Sequence, residues 1–272
     1  MTKEEIFNQI KQKQSYLCVG LDTVLQKIPR HLHSEKDPVF EFNKQIIDAT
    51  ADFCVAYKPN TAFYEALGSK GWESLQKTLE YIPDTFFKIA DAKRGDIGNT
   101  SQLYARAFFE QMQADAITVA PYMGKDSVTP FLGFPDKWVI LLALTSNPGS
   151  ADFQTTALTS EEMLFEKVIS VSSKWADASQ LMYVVGATKA EQFKHIRKLI
   201  PEHFLLVPGV GTQGGDLALL SQFGMNKYCG LLVNASRSVI YASNGKDFAV
   251  QAANETKRMQ EEMAKYLEKY LV

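Results

Sequence analysis

Cysteine is scarce in this chain, with three residues in 272. Cys18, Cys54 and Cys229 lie in or beside apolar segments, and their number is odd. A disulfide framework needs paired cysteines and an oxidising compartment, so this set argues against a disulfide-rich secreted domain. The three thiols are predicted to be reduced, to fill small spaces in the core, and to indicate a cytoplasmic protein.

Long apolar runs and an excess of one charge are also absent. No stretch of about 18 apolar residues occurs, so no membrane span is expected. The segment Met1–Phe7 is charged and helix-like, without the apolar core of a signal peptide. The formal net charge is -2, from 29 basic and 31 acidic residues, which argues against a surface dedicated to nucleic acid.

Histidine is rare as well. The four are His31, His33, His195 and His203. None stands at the carboxyl end of an apolar strand-like segment, and His31 and His33 have no further metal ligands close by in sequence. A histidine-based hydrolase and a metal site therefore have little support.

What the chain does contain is a regular alternation of short apolar segments and amphipathic stretches, without a linker or low-complexity tract. The strand-like segments are Leu17–Asp22, Phe53–Lys58, Phe86–Lys93, Ala116–Ala120, Trp138–Ser146, Leu181–Ala187, Phe204–Gly209 and Gly230–Ser236. Helical candidates include Asp37–Ala51, Asn99–Gln113, Ser160–Ala178 (with Ser160 as N-cap), Lys189–Leu199, Asp216–Phe223 and Lys246–Leu271. Eight such units in about 250 residues predict the α/β class and a single (β/α)8 TIM barrel over residues 1–272. A doubly wound open sheet is the alternative architecture.

Charged side chains gather at the end of the third strand-like segment. Alternation along a strand puts Phe87, Ile89, Asp91 and Lys93 on one face, and Asp96 follows just past the turn. Grouped buried charges seldom stabilise a protein more than apolar residues would. Because functional groups of a barrel lie at the carboxyl ends of its strands, these residues predict an active site. A solvated loop cluster is the alternative.

Three other segments end in polar residues of the kinds that bind a ligand. Asp22 ends the first and Lys58 the second, whereas Ser146 ends the fifth and suits a hydrogen bond to a planar amide. The alternatives are a turn cap, a solvent-facing lysine and a plain turn, respectively.

The seventh segment leads into the glycine-rich loop Pro208–Gly215, in which three glycines spell G-x-G-x-x-G. The next strand lacks the acid that a dinucleotide site needs at its end, so a nicotinamide site is rejected. The loop is predicted to bind phosphate through its N–H groups and Gln213, with Arg237 gripping the same phosphate after strand eight. A flexible surface loop and a helix-start arginine are the alternative.

Together these residues resemble the orotidine 5′-phosphate decarboxylase family, in its longer, monofunctional bacterial branch. The matching residues are Gly20-Leu21-Asp22, Lys58, Asp91-x-Lys93-x-x-Asp96 with Ile97 and Thr100, Ser146, Pro208-Gly209-Val210-Gly211 with Gln213, and Arg237. They span nearly the whole chain, and the D-x-K-x-x-D element is highly specific in this context. The chain departs from compact relatives at Ser236, where they have glycine, and in its longer Ser150–Glu162 segment.

The resemblance implies a cofactor-free decarboxylation of orotidine 5′-monophosphate to uridine 5′-monophosphate and carbon dioxide, the last step of de novo synthesis of that nucleotide. It implies no metal, flavin or other cofactor, and the nucleotide substrate as the binding partner. No nucleic acid or membrane partner is expected. It also implies a homodimer in which Asp96 reaches into the neighbouring subunit's site.

The same resemblance implies that Lys58, Asp91, Lys93 and Asp96 are catalytic and form an alternating array of ammonium and carboxylate groups. Asp91 would repel the substrate carboxylate, and Lys93 would stabilise the developing carbanion and give it a proton. The residues implied to bind the substrate are Asp22, Ile97, Thr100, Ser146, Pro208, Gly209, Gln213, Ser236 and Arg237.

Two other functions fit parts of the pattern. Magnesium-dependent sugar-phosphate decarboxylases and isomerases use the same barrel, but they carry a glutamate at the position of Asp91 and would lose activity on chelation. A non-catalytic nucleotide-phosphate binding protein would keep the barrel and the phosphate grip. The intact array of lysines and aspartates argues against it.

Overall fold

The computed structural model describes residues 1–187, 190–210 and 215–271. Its strands are β1 (Leu17–Gly20), β2 (Ala56–Lys58), β3 (Phe87–Arg94), β4 (Ala116–Val119), β5 (Trp138–Leu144), β6 (Leu181–Val185), β7 (Leu205–Pro208) and β8 (Leu231–Ala235). They pair in parallel and in chain order, and β8 pairs with β1, so the sheet closes into a barrel. The predicted (β/α)8 barrel is confirmed, and the open-sheet alternative is wrong.

Helices alternate with these strands around the outside of the barrel. In the described residues they are α1 (Lys3–Lys13), α2 (Pro38–Thr50), α3 (Thr61–Glu65), α4 (Ser69–Tyr81), α5 (Gly98–Arg106), α6 (Lys125–Leu132), α7 (Leu164–Ser172), α8 (Ala190–Leu199), α9 (Leu217–Gly224), α10 (Arg237–Ile240) and α11 (Phe248–Tyr270). A π-helical turn, Ala107–Gln111, extends α5, and short 3-10 helices cover Leu25–Lys27, Arg30–Leu32 and Pro148–Asp152. In the part of the chain that the structure describes, no helix combines the length and apolarity that crossing a bilayer requires.

The strands are buried on both faces, as parallel barrel strands require. The Tyr57 hydroxyl donates to the Ile47 carbonyl of α2 at 3.0 Å, so Tyr57 faces the helices. Because side chains alternate, its neighbour Lys58 points into the barrel. The position of the site therefore follows from ordinary strand geometry.

Local sequence explains where several helices begin. Asp37 caps α2 by accepting the Phe40 N–H at 3.2 Å, and Pro38 occupies the first turn, where its missing N–H costs nothing. Asp216 caps α9 in the same way, since one carboxylate oxygen accepts two of the first free N–H groups. These caps are readable from the sequence, and both helices lie close to their predicted limits.

The predicted helix over Ser160–Ala178 is wrong at both ends, since α7 covers only its middle. Ala157 pairs with Met163 in an antiparallel bridge, and Glu161 has a left-handed φ of 65°. A chain that turns back on itself in this way cannot supply the successive hydrogen bonds of a helix. Ser160 is therefore a turn residue, and Met163 precedes the helix instead.

Arg197 on α8 ties several elements together at the amino-terminal end of the barrel. Its guanidinium donates to the carbonyls of Gly224 at 2.6 Å and Gly230 at 2.7 Å. It also donates to the backbone carbonyls of His203 at 2.6 Å and Ile200 at 3.3 Å. One side chain thus holds the end of α9 and the segments that enter β7 and β8.

Candidate active site

The centre of the site is the carboxylate of Asp91, which lies between two lysines at the carboxyl ends of β2 and β3. Lys58 Nζ is 2.7 Å from Asp91 Oδ2, and Lys93 Nζ is 2.6 Å from Asp91 Oδ1. The backbone supports this contact, because the Asp91 N–H donates to the Pro59 carbonyl at 3.0 Å and extends the pairing of β2 with β3. We call these three side chains the Lys58–Asp91–Lys93 network.

Burial and charge act in opposite directions on the pKa values of this network. Burial alone would lower the pKa of Lys58, but the carboxylates of Asp91 and Asp22 outweigh it and raise that pKa above its usual value. Burial alone would raise the pKa of Asp91, but Lys58 and Lys93 hold it below its usual range. Lys58 and Asp91 are therefore both charged at neutral pH.

Lys93 occupies an irregular part of β3. The register against β4 shifts between Ala90 and Arg94, and Lys93 itself has a left-handed φ of 47°. The predicted regular alternation therefore ends before Lys93, yet its side chain still reaches the same carboxylate. The Lys58 side chain is 5% exposed, whereas the Lys93 side chain is 49% exposed, so Lys93 is the ammonium group of the network that faces the open mouth.

Thr118 on β4 joins the network, and the sequence analysis did not identify it. Its hydroxyl donates to Asp91 Oδ1 at 3.0 Å and accepts the Lys93 N–H at 2.8 Å. A hydroxyl in a buried, otherwise apolar strand needs a polar partner, and that was the signal available in the sequence.

Asp96, Ile97 and Thr100 lie beyond the network, at the start of α5. Asp96 Oδ1 accepts the Ile97 N–H at 2.8 Å, and within the described residues Asp96 forms no ion pair. Ile97 is 54% exposed, and Thr100 is exposed as well. Within one chain, the structure therefore brings together three of the four predicted array members, and Asp96 lies apart from them.

Asp22 and Ser236 lie where β1 and β8 meet. An ideal Cβ built on Gly20 would be 2.7 Å from Ser236 Cβ and 3.1 Å from Asn234 Oδ1, so only glycine allows this close approach. Asp22 Oδ1, Asn234 Oδ1 and Ser236 Oγ are buried, and each has no hydrogen-bond partner among the described residues. Asn234 was missed by the sequence analysis, although it lies in β8 only two residues before Ser236.

Ser146 follows β5 and is half-buried against β6. A Cβ on Gly186 would lie 2.8 Å from Ser146 Cβ, so the two backbones meet closely. The longer Ser150–Glu162 segment folds back onto this strand end. Its Gln154 accepts the Thr145 N–H at 2.7 Å and donates to the Thr145 hydroxyl at 2.9 Å, which fixes the residue beside Ser146.

The predicted phosphate loop is described only at its two ends. Pro208 ends β7, and Gly209 has a left-handed φ of 95°. The Gly215 N–H donates to the Gly209 carbonyl at 3.3 Å, and a Cβ on Gly215 would lie 2.5 Å from Ala187 Cβ. Gln213 lies outside the described residues.

Arg237 is the first residue of α10, directly after Ser236, and it is exposed. It therefore lies at the same carboxyl-terminal face of the barrel as the network. In the described part of the chain, no three His, Cys, Asp or Glu side chains gather as a metal site. The chemistry that this face offers is a fixed array of alternating charges beside exposed cationic and hydroxyl groups.

Known proteins resemble this chain over nearly its whole length. The family model described as "Orotidine 5′-phosphate decarboxylase / HUMPS family" matches residues 15–252. An orotidine 5′-phosphate decarboxylase from Parabacteroides distasonis is 61% identical over 270 residues, which are 98% of this chain and 96% of that protein. One from Christiangramia forsetii is 61% identical over 273 residues, covering 99% and 100%. The structure of Leishmania donovani OMP decarboxylase matches with a TM-score of 0.80 and 34% identity, covering 96% of this chain and 100% of that one.

Proposed function

The chain belongs to the orotidine 5′-phosphate decarboxylase / HUMPS family, and from this premise we propose that the Lys58–Asp91–Lys93 network is its reaction centre. The chain converts orotidine 5′-monophosphate to uridine 5′-monophosphate and carbon dioxide, in pyrimidine biosynthesis. The activity predicted from the sequence is thereby confirmed. The single observation that supports the proposed centre is the Asp91 carboxylate between two ammonium groups, at 2.7 and 2.6 Å.

In the proposed mechanism, Lys93 does the chemical work. Loss of carbon dioxide leaves an electron pair on a ring carbon, and an ammonium group already fixed beside that carbon stabilises the pair without reorganising. Lys93 then gives its proton to the carbon and regains one from solvent. Its exposure at the mouth supports this role, whereas the buried Lys58 serves to hold Asp91 in place.

Asp91 contributes by its charge. The depressed pKa of its carboxyl group keeps Asp91 ionised, so it repels a substrate carboxylate placed against it. Lys58, Lys93 and Thr118 fix the position of the carboxylate, so it cannot turn away from that contact. We weight the preorganised charge of Lys93 more heavily than this repulsion.

The remaining predicted residues are proposed to bind the nucleotide. Arg237, Gln213 and the main chain at Pro208 and Gly209 would hold the phosphate. The other proposed substrate contacts are Asp22, Ile97, Thr100, Ser146 and Ser236. The unpartnered buried oxygens of Asp22 and Ser236 support this proposal, because buried polar atoms normally have a partner and a ribose hydroxyl would supply one.

We also propose that the active form is a homodimer in which Asp96 completes the partner's site. Asp96 forms no ion pair among the described residues of its own chain. Large apolar side chains beside it are exposed, which is typical of an interface. These are Ile97 (54%), Leu103 (54%), Tyr122 (89%) and Met123 (47%).

A cytoplasmic location is proposed as well, supported by three buried, unpaired cysteines.

The test of the reaction centre is a Lys93→Ala variant of the chelator-treated protein. We expect kcat for orotidine 5′-monophosphate, followed by the loss of orotate absorbance, to fall by about a thousandfold or more. The Kd for uridine 5′-monophosphate should change by less than about threefold. Lys174→Ala, at an exposed lysine, is the control and should keep full activity.

A Lys93→Ala enzyme with the unaltered rate would overturn the proton-donor role. If the enzyme without any substitution loses its activity on chelation, the magnesium-dependent sugar-phosphate chemistry is favoured instead. Both outcomes are read from the same assay.

A further inference from the structure

A second group of positive charges faces an open cavity of about 960 Å³ beside the proposed phosphate site. Its basic lining residues are Lys27, Arg30, His31, Arg237 and Lys246. In the described chain, no member of the Lys58–Asp91–Lys93 network lines this cavity. It therefore lies next to the reaction centre and is separate from it.

The charges around the cavity are not neutralised by the protein. Among the described residues, no acidic side chain lines it, and Lys27, Arg30, Arg237 and Lys246 form no ion pair. Asp247, which follows Lys246, accepts hydrogen bonds from Ser243 and Gln251 instead. Four permanent cations around one space repel each other, and in a chain of net charge -2 such a cluster fits an anionic ligand.

The walls of the cavity are already fixed in position. Tyr241 joins them, because its hydroxyl accepts the Val24 N–H at 2.7 Å and donates to the Asp22 carbonyl at 3.2 Å. The segment after β1 is thus tied to the segment before α11. Lys27 Nζ lies 5.8 Å from the centre of the Tyr241 ring. An anion would enter a preformed site, which lowers the cost of binding.

We propose that this cavity is a second anion site that takes a diphosphate group and shares Arg237 with the nucleotide phosphate. A diphosphate carries more negative charge than a monophosphate and so matches four permanent cations better. The group can come from free diphosphate or from a nucleoside 5′-diphosphate that extends out of the reaction centre. Only the sharing of Arg237 rests on the proposed function.

The test measures binding of inorganic diphosphate to the whole protein by calorimetry. Arg30→Ala and Lys246→Ala should each weaken binding by about fivefold, since each removes one charge-assisted contact. The control Lys265→Ala, at an exposed lysine of α11, should not. The kcat for orotidine 5′-monophosphate and the Kd for uridine 5′-monophosphate should stay unchanged in all three. Absent binding, or equal weakening by Lys265→Ala, would overturn the proposal.

Two further arms distinguish the sources of the group. If uridine 5′-diphosphate inhibits more strongly than the monophosphate, and Lys246→Ala removes that advantage, the ligand is the nucleotide. If inorganic diphosphate still binds to protein saturated with uridine 5′-monophosphate, and uridine 5′-diphosphate has no such advantage, the ligand is free diphosphate. Unchanged monophosphate affinity in Arg237→Ala would refute the proposed phosphate role of Arg237, and the Arg30 and Lys246 results would still decide the second site.

Discussion

At the scale of single residues, Thr118 determines how β4 positions the charged groups of β3. Thr118→Val keeps the shape of the side chain but removes the hydroxyl, so Asp91 loses a donor and the Lys93 N–H loses its acceptor. We expect kcat to fall about tenfold, the equivalent of one hydrogen bond to a charged group. The Kd for uridine 5′-monophosphate, measured by calorimetry, should change by less than about twofold.

Thr118→Ser is the matched control, because serine keeps the hydroxyl and loses only a methyl group. It should restore most of the rate. If the valine variant turns over like the unaltered enzyme, or the serine variant fails equally, the hydroxyl does not position the network.

His203 makes stability depend on pH. Burial lowers the pKa of His203 to about 4, whereas an unfolded histidine takes up a proton near pH 6.5, roughly its model value. Between these values the unfolded chain binds more protons, so the free energy of unfolding falls as the pH drops from about 6.5 to about 4. Below about pH 4 the loss of stability is complete, and it amounts to no more than about 3 kcal/mol.

The measurement is urea unfolding between pH 7 and pH 4.5. His203→Phe keeps a ring against Tyr183, whose ring centre is 5.6 Å away, and it should flatten the pH dependence. His33→Gln, which replaces an exposed histidine, is the matched control. An identical slope in the His203→Phe variant would contradict the assignment.

The sequence allowed prediction of charged site residues better than of neutral ones. Asp91 and Lys93 stood out because two opposite charges at the end of an apolar strand seldom stabilise the fold, so they indicate a function. Thr118 did not, because its partners come from the neighbouring strand and only the closed barrel brings them into contact. The left-handed φ of Lys93 depends on the same β3–β4 pairing, and a lysine in the sequence does not indicate such a conformation.

At the scale of elements, Arg197 connects the end of α8 to the segments that follow it. Arg197→Met removes the hydrogen-bond donors of four backbone carbonyls at once. We expect the free energy of unfolding, from urea titration, to fall by about 3 kcal/mol. The kcat at 25 °C should stay within about twofold, because the residue lies at the opposite end of the barrel.

Lys198→Met is the control for this change, since it removes the next cation in the same helix from an exposed position. It should alter stability by less than about 0.5 kcal/mol. A comparable loss in both variants would mean that charge on α8, and not the four carbonyl contacts, stabilises this end.

The strands were predicted more accurately than the helix ends. Short apolar runs buried on both faces have few alternatives, so each predicted segment contains or overlaps its strand closely; Trp138–Ser146, for example, contains β5. The prediction of a helix over Ser160–Ala178 failed because a serine followed by two glutamates occurs in turns as well as at helix starts. The bridge between Ala157 and Met163 decided between them, and that pairing has no signature in sequence.

At the scale of the whole molecule, the exposed apolar side chains around Asp96 were not predicted. Ile97 and Tyr122 lie on separate segments that follow β3 and β4, and only the fold places those segments side by side, as the Ser101 hydroxyl contact with the Ser127 carbonyl at 3.1 Å shows. The exposure of Ile97 and Tyr122 is informative because five of the nine exposed large apolar residues in the described chain follow β3 or β4.

Subunit mixing tests whether Asp96 acts across that face. Lys93→Ala and Asp96→Ala are each expected to be inactive as homodimers. In a hybrid dimer, the subunit with Asp96→Ala keeps its own Lys93 and receives Asp96 from its partner, so one of the two sites is complete. Random exchange of equal amounts makes half of the dimers hybrid, and the mixture should therefore regain about a quarter of the activity of the enzyme without substitutions.

Mixing Lys93→Ala with Lys58→Ala is the control, because both residues belong to one chain's site and neither hybrid site is complete. No rescue in the first mixture, with exchange demonstrated by mass spectrometry of labelled subunits, would mean that each chain builds its site alone.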